Sequence, residues 1–184
     1  MPEIALHLLD LVQNSIRAGA KTVRIVIDLS AQLLLTLTLM DDGCGMDEEM
    51  AALAHSPFGT SRTTRKVGLG IPLTRESALA TGGSFSLTSE PGIGTTVTAS
   101  FDTRHIDCPP LGKLEDTLVS LILANPDQPE FEISLSSKDA NEVLDTRQIK
   151  QTLGTVPITT PDVALWLTAC LRDMTENTLG GITS

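Results

Sequence analysis

The amino-acid sequence predicts an α+β fold in which a layer of helices covers a mixed β-sheet. Three observations lead to this prediction. Apolar residues recur at helical spacing over residues 3–18, two alternating apolar and polar segments follow, and a second helical segment precedes two more alternating ones. Because each element must bury its apolar side against another layer, this order predicts helices packed on a sheet, an α/β sandwich.

The first helix is predicted over residues 3–18 and is ended by Gly19. Its apolar side chains form one stripe: Ile4, Leu8, Leu11, Val12 and Ile16. Alternation of apolar and polar residues predicts strands at 21–28 and 33–41. The other elements predicted up to residue 104 are a short acidic helix at 47–54, a mobile loop at 55–67, a helix at 69–80, and strands at 84–89 and 95–101.

Pro109-Pro110 marks a boundary, because consecutive prolines continue neither a helix nor a central strand. We therefore predict two domains, 1–104 and 105–184, of which the second is a small acidic α+β domain of unknown role. Its predicted elements are a helix at 113–124, strands at 131–136 and 140–145, a helix starting at Pro161, and a frayed tail at 180–184.

The net charge of −10 is uneven, since residues 1–104 carry 8 basic and 11 acidic residues while residues 105–184 carry 5 and 12. An acidic chain without tyrosine and with 3% aromatic residues is poorly suited to binding nucleic acid. The longest apolar stretch, 33–40, is too short to span a bilayer, and the N-terminus does not resemble a secretion signal. Three widely spaced cysteines favour a reducing, cytoplasmic location.

Four short motifs occur in a fixed order along residues 3–101. They are Asp10 to Arg17 on the first helix, Asp41 to Gly45 after the second strand, Gly68-Leu69-Gly70 at the start of a helix, and Gly94-Thr95 before the last strand. Each motif is ordinary alone, but the ordered set resembles the GHKL ATPase superfamily of gyrase, Hsp-type chaperones, histidine kinases and mismatch-repair ATPases. The resemblance implies a Bergerat-type sandwich that binds ATP and Mg²⁺.

The first helix carries a polar stripe of His7, Asp10, Asn14 and Arg17, which on its own is typical of a solvated face. The resemblance implies that the Asn14 amide oxygen binds Mg²⁺. It places Asp10 where the ATPases carry a water-activating Glu, and Arg17 where histidine kinases carry a phosphate-contacting cation. Arg17 thus favours the kinase branch and Asp10 leaves hydrolysis open. His7 is predicted to pack or lie at the surface rather than to react.

Asp41 ends an alternating row of leucines, which places its carboxylate on the buried face, where an unpaired charge is costly. In the family this Asp accepts a hydrogen bond from the adenine amino group, which would be the partner that the carboxylate otherwise lacks. Gly43 and Gly45 let the backbone approach the base. Thr95 matches the Thr or Ser of the last family motif, which contacts adenine or the Asp–water network.

Residues 55–67 match the lid that covers ATP in this family. Arg62, Arg65 and Lys66 are the one basic cluster of an otherwise acidic chain. They are expected to contact phosphate together with the turn at Gly68, Leu69 and Gly70, where backbone N–H groups and a positive helix end favour an anion.

A sensor kinase carries its phosphoacceptor His on a helical hairpin before the ATP-binding domain. The first helix begins at about residue 3, so we expect no such hairpin here. Three hypotheses follow: a stand-alone kinase acting on a separate regulatory partner protein, a slow ATPase switch, and a non-catalytic ATP sensor. A homodimer is a further candidate; neither nucleic acid nor membrane is expected as a partner.

Overall fold

The computed structural model of the chain describes residues 3–55 and 69–182, and it has the predicted α+β architecture. The elements in chain order are α1 (Ile4–Arg17), β1 (Thr22–Leu29), β2 (Leu34–Asp41), α2 (Glu48–His55), α3 (Gly70–Ala80), β3 (Phe85–Glu90), β4 (Gly94–Asp102), α4 (Leu114–Ala124), β5 (Glu130–Ser137), β6 (Asn141–Asp145), α5 (Thr146–Leu153) and α6 (Pro161–Leu179). The predicted 55–67 loop lies almost entirely outside the described residues.

The strands form one mixed six-stranded sheet in the order β3-β4-β2-β1-β5-β6. Neighbouring strands are antiparallel except β1 and β5, which run parallel. The alternation in the sequence decides which face is covered, because successive side chains of a strand point to opposite faces. The buried face carries Ile25 of β1, Leu37 of β2, Ala99 of β4 and Ile133 of β5, all essentially inaccessible to solvent.

Helix α1 forms as the sequence predicts. Its apolar stripe is buried at Ile4, Leu8, Leu11 and Val12, while Ile16 is only partly buried. Gly19 follows the helix with a φ of 72°, a left-handed conformation that ends it. The side chain of the N-cap residue, Glu3, does not cap its N-terminus. The N–H groups of Ile4 and Ala5 instead donate to the Pro110 and Leu111 carbonyls at 2.9 and 3.0 Å, which binds the second predicted half to the first.

The predicted boundary at residue 105 lies within a connection between strands of one continuous sheet. Strand β5 pairs with β1 from Thr22 opposite Glu130 to Leu29 opposite Ser137. Buried side chains of α4 and α6, such as Leu118 and Leu167, belong to the same hydrophobic core as those of α1. The two predicted halves therefore share a sheet and a core.

Two features of the second half were not predicted. Helix α5 has mostly polar residues, and the Asp145 carboxylate caps it by accepting from the Arg147 N–H at 2.8 Å. The tail was predicted to fray from residue 180, but Ile182 packs against the core.

We expect the fragment of residues 1–104 not to fold cooperatively by itself. Without residues 105–184, β1 loses its parallel partner and the core loses the fully buried Leu118, Phe131 and Leu167. Thermal denaturation followed by circular dichroism, with the fragment of residues 1–182 as the control, checks this expectation. A cooperative transition in the short fragment would contradict it and favour two separate folding units.

Candidate functional site

The polar residues of α1 divide into a buried and an exposed set. His7 is buried, whereas Asp10 and Arg17 are exposed and Asn14 is half-buried. The guanidinium of Arg17 donates to the Asn14 amide oxygen and to the Gln13 side chain, both at 3.4 Å. No carboxylate in residues 3–55 and 69–182 forms a salt bridge with Arg17, so its charge is not neutralised there.

Asp41 lies at the end of β2 and is half-buried, as the leucine alternation predicts. Its carboxylate was predicted to lack a partner within the protein, and this prediction was wrong. The Ser15 hydroxyl donates to Oδ2 at 2.6 Å and the Gly43 N–H donates to Oδ1 at 2.9 Å. Because each carboxylate oxygen has two acceptor sites, both oxygens can still accept a further donor.

The neighbouring Asp42 holds the backbone rather than facing the site. Its Oδ1 accepts from the N–H groups of Lys21 and Thr22 at 2.7 and 2.8 Å. Partial burial raises the pKa of the Asp42 carboxyl, but these backbone hydrogen bonds outweigh that effect and hold the pKa below its ordinary value. Asp42 thus joins the end of β2 to the start of β1.

The loop at residues 43–45 is clamped between α1 and the β3–β4 hairpin. The Cys44 N–H donates to the Ala18 carbonyl at 2.9 Å, and the Cys44 carbonyl accepts from the Gly92 N–H at 2.8 Å. Gly45 is required here, because any Cβ would collide with the Glu90 carbonyl oxygen. The two glycine-rich segments that the sequence analysis noted separately therefore pack on one another.

Thr95 lies beside Asp41, since β2 and β4 pair these two residues in register. Its hydroxyl forms a 2.8 Å hydrogen bond with the Ser89 hydroxyl, which also accepts from the Met46 N–H at 2.8 Å. Ser89 thus fixes Thr95 relative to the glycine loop.

These elements enclose a cavity of about 460 Å³, within the range typical of small-molecule sites. Its walls are largely apolar, with a few polar groups among them, a composition that suits a flat base joined to a polar group. The lining residues are Leu11, Asn14, Ser15, Arg17, Ala18, Leu39, Asp41, Cys44, Gly45, Met46, Met50, Ile71, Thr95 and Val97.

The start of α3 approaches α1 closely. A Cβ at Gly70 would lie 2.7 Å from the Cβ of Asp10, so only glycine permits this approach. Leu69, just before the helix, is exposed. The other residues predicted to contact phosphate, Arg62, Arg65, Lys66 and Gly68, lie outside the described residues.

The structure thus brings Asn14, Arg17, Asp41, Gly45 and Thr95 to one cavity, with Gly43 bonded to Asp41. Asp10 lies against Gly70 and is not among the lining residues. Sequence reasoning missed Ser15 and Ser89. A signal existed for Ser15: it lies four residues after Leu11, on the apolar stripe, and a buried hydroxyl requires a hydrogen-bond partner.

No group of three or more His, Cys, Asp or Glu side chains in residues 3–55 and 69–182 is placed to hold a metal ion. No helix within these ranges has the length and apolar character needed to cross a bilayer.

A family model described as histidine kinase-, DNA gyrase B-, and HSP90-like ATPase matches residues 3–105. All described residues of the site fall within this match.

Two relatives and one solved structure show how far the similarity extends. The chain is 34% identical over 110 residues to the non-motile and phage-resistance protein of Caulobacter vibrioides, covering 54% of this chain and 13% of that protein. It is 47% identical over 53 residues to the DNA mismatch repair protein MutL of Pelotomaculum thermopropionicum, covering 29% of this chain and 8% of that protein. The chain therefore spans a small part of these relatives' length.

The solved N-terminal domain of a DNA repair protein superposes with a TM-score of 0.53 at 16% identity. It covers 98% of this chain and 58% of that one. At this level of identity, the similarity indicates a shared fold.

We expect Ser15→Ala to lower the free energy of unfolding by about 1–2 kcal/mol. The substitution removes a hydrogen bond to a charged group, but Asp41 is half-buried and water can replace part of the lost interaction. Urea denaturation checks this, with Ser86→Ala on the exposed side of β3 as a control expected to change stability by less than about 0.5 kcal/mol. Equal stability of the two variants would contradict the role given to Ser15.

Proposed function

The chain belongs to the family of histidine kinase-, DNA gyrase B- and HSP90-like ATPases, and on this premise we propose that it binds Mg²⁺ and ATP in the cavity bounded by Asp41 and Asn14. The observation that carries the proposal is the Asp41 carboxylate, held by two donors on the wall of this cavity. Its free acceptor sites suit the amino group of adenine, and the apolar walls suit the ring.

The Asn14 amide fits a role as a magnesium ligand. Its oxygen accepts only one long hydrogen bond, from Arg17, and its buried nitrogen has no partner, so the amide is incompletely satisfied within the described chain. An amide oxygen is a ligand type that Mg²⁺ accepts. Since no acidic cluster stands beside it in the described ranges, nucleotide phosphates and water would supply the remaining ligands. Bound there, Mg²⁺ would neutralise phosphate charge.

We further propose that the chain is a stand-alone kinase that phosphorylates or regulates a separate partner protein. Arg17 supports this reading, because it lines the cavity and none of its described neighbours neutralises its charge. Phosphoryl transfer depends on positioning and on stabilising negative charge, which a guanidinium without a carboxylate partner among the described residues provides. A cytoplasmic location is part of the proposal.

Slow hydrolysis that drives a conformational switch is the second candidate. Asp10 favours it, since this exposed carboxylate lies against the first residue of α3, where the phosphates would bind. A carboxylate at that place can accept a proton from water and act as a general base. If the chain binds ATP but does not turn it over, the remaining hypothesis is a non-catalytic ATP sensor.

Asp41→Asn is expected to weaken ATP binding about 10- to 150-fold, because one acceptor oxygen becomes a donor and a charge-assisted hydrogen bond is lost. Isothermal titration calorimetry with Mg²⁺ and a non-hydrolysable ATP analogue measures the change. Asp139→Asn, in the exposed β5–β6 turn, is the matched control and should bind as the parent does. Absence of nucleotide binding to the unmodified chain would refute the proposed function.

Asp10→Asn and Arg17→Ala distinguish hydrolysis from kinase activity. If Asp10 activates water, its substitution should reduce hydrolysis by about 10²–10⁴-fold while Arg17→Ala has little effect. If the chain is a kinase, Arg17→Ala should cause the larger loss of phosphate transfer to a protein in a host-cell extract.

Labelled ATP measures both outcomes, because label released as free phosphate reports hydrolysis and label transferred to protein reports kinase activity. The charge-matched controls are Asp116→Asn and Arg172→Ala, because Asp116 and Arg172 are exposed and lie away from the cavity. A large loss with Asp10→Asn alone would contradict the kinase proposal, and the reverse would contradict the switch.

A further inference from the structure

His7 is a buried ionisable residue that the proposed function does not use. It lies on α1 one turn before Asp10, and only 2% of its surface is exposed. Its ring contacts α3, where Nδ1 lies 3.3 Å from the Thr74 hydroxyl. Its Nε2 is buried and has no hydrogen-bond partner among the described residues.

The hydrogen-bond pattern assigns the proton on the ring. The Thr74 hydroxyl donates its single hydrogen to the Gly70 carbonyl at 2.8 Å, so toward His7 it can only accept. His7 Nδ1 therefore carries the hydrogen and donates it, and Nε2 is an acceptor without a partner among the described residues. Burial lowers the pKa of His7, with the nearby Asp10 charge opposing the effect, which agrees with a neutral ring.

The contacts within residues 3–55 and 69–182 do not account for a histidine at this position by stability alone. A buried acceptor without a partner destabilises a fold, and an apolar side chain of similar size would avoid that cost. Each such group in a native structure therefore calls for another explanation.

The contacts of α1 with α3 suggest one. Gly70 and Thr74 lie one turn apart on α3, as His7 and Asp10 do on α1. At the first turn of α3, the missing side chain of Gly70 lets the two helices approach until Gly70 contacts Asp10. One turn further along α3, the hydrogen bond from His7 to Thr74 fixes the distance between the two helices. The Thr74 hydroxyl also donates to the Gly70 carbonyl.

We propose that His7 is a positioning residue that, through Thr74, sets the first turn of α3 against α1 so that phosphate groups of a bound nucleotide meet its N–H groups. This inference rests on the proposed nucleotide site. It predicts that losing the His7–Thr74 hydrogen bond weakens recognition of phosphate while leaving recognition of adenine unchanged, because Asp41 is held independently by Ser15 and Gly43.

Two pairs of variants test the proposal. His7→Leu and Thr74→Val delete the hydrogen bond with little change in volume. His7→Asn keeps a donor near the position of Nδ1, and Thr74→Ser keeps the hydroxyl. Calorimetry with adenosine and with ADP, each with Mg²⁺, gives two dissociation constants for each variant, and thermal denaturation without ligand confirms that each variant is folded.

We expect His7→Leu and Thr74→Val to weaken ADP binding about 3- to 10-fold, the range that one hydrogen bond supports, with adenosine binding unchanged. His7→Asn and Thr74→Ser should restore ADP affinity. The double variant should lose no more than Thr74→Val alone, because that single substitution already removes the His7–Thr74 hydrogen bond together with the one to the Gly70 carbonyl.

Unchanged ADP affinity in both deletions, or equal losses for adenosine and ADP, would overturn the proposal. If His7→Leu fails to fold, the result for Thr74→Val decides. Absence of ADP binding to the unmodified chain would refute the proposed function and the inference together. ADP binding that is insensitive to both deletions would refute the inference alone.

Discussion

The hydrogen bonds made by the Asp41 carboxylate hold the site together. One oxygen accepts from Ser15 on α1 and the other from Gly43 in the loop after β2, so one side chain joins a helix, a strand end and a glycine loop. The β2–β4 register then places Thr95 beside Asp41, and Ser89 fixes Thr95 to the loop. Displacing either donor weakens the link between two elements, because it removes one of the two hydrogen bonds that the carboxylate accepts from the described residues.

Local patterns predicted the first half of the fold well. The apolar stripe of α1, the Gly19 end and the alternation of β1 and β2 are signals carried by neighbouring residues, and each appears in the structure. The partner of Asp41 was not predicted, because Ser15 is distant in sequence and its role depends on how α1 packs over β2. The resemblance predicted the candidate site residues, but only the register showed why Asp41 and Thr95 lie together.

The second half was harder to predict because its organisation depends on long-range pairing. The strand at 131–136 was recognised, but nothing local indicates that it would lie parallel to β1, more than a hundred residues earlier in the chain. Helix α5 has only two apolar residues that pack on the core, Ile149 and Leu153, and it also has a cap at Asp145 and an ion pair of Lys150 with Glu130, at 2.7 Å. Such polar contacts are set by tertiary structure, which overrides weak local preference.

Helix α1 belongs to both parts of the chain at once. Its middle and C-terminal residues line the cavity, while its first two N–H groups donate to the Pro110 and Leu111 carbonyls and its side packs on α4. A displacement of α1 on filling the cavity would strain those hydrogen bonds. Thermodynamic linkage makes such an effect reciprocal. If a ligand bound near residues 110–111 shifts α1 and thereby changes the affinity of the cavity by some factor, a ligand in the cavity changes the affinity of the site near residues 110–111 by the same factor.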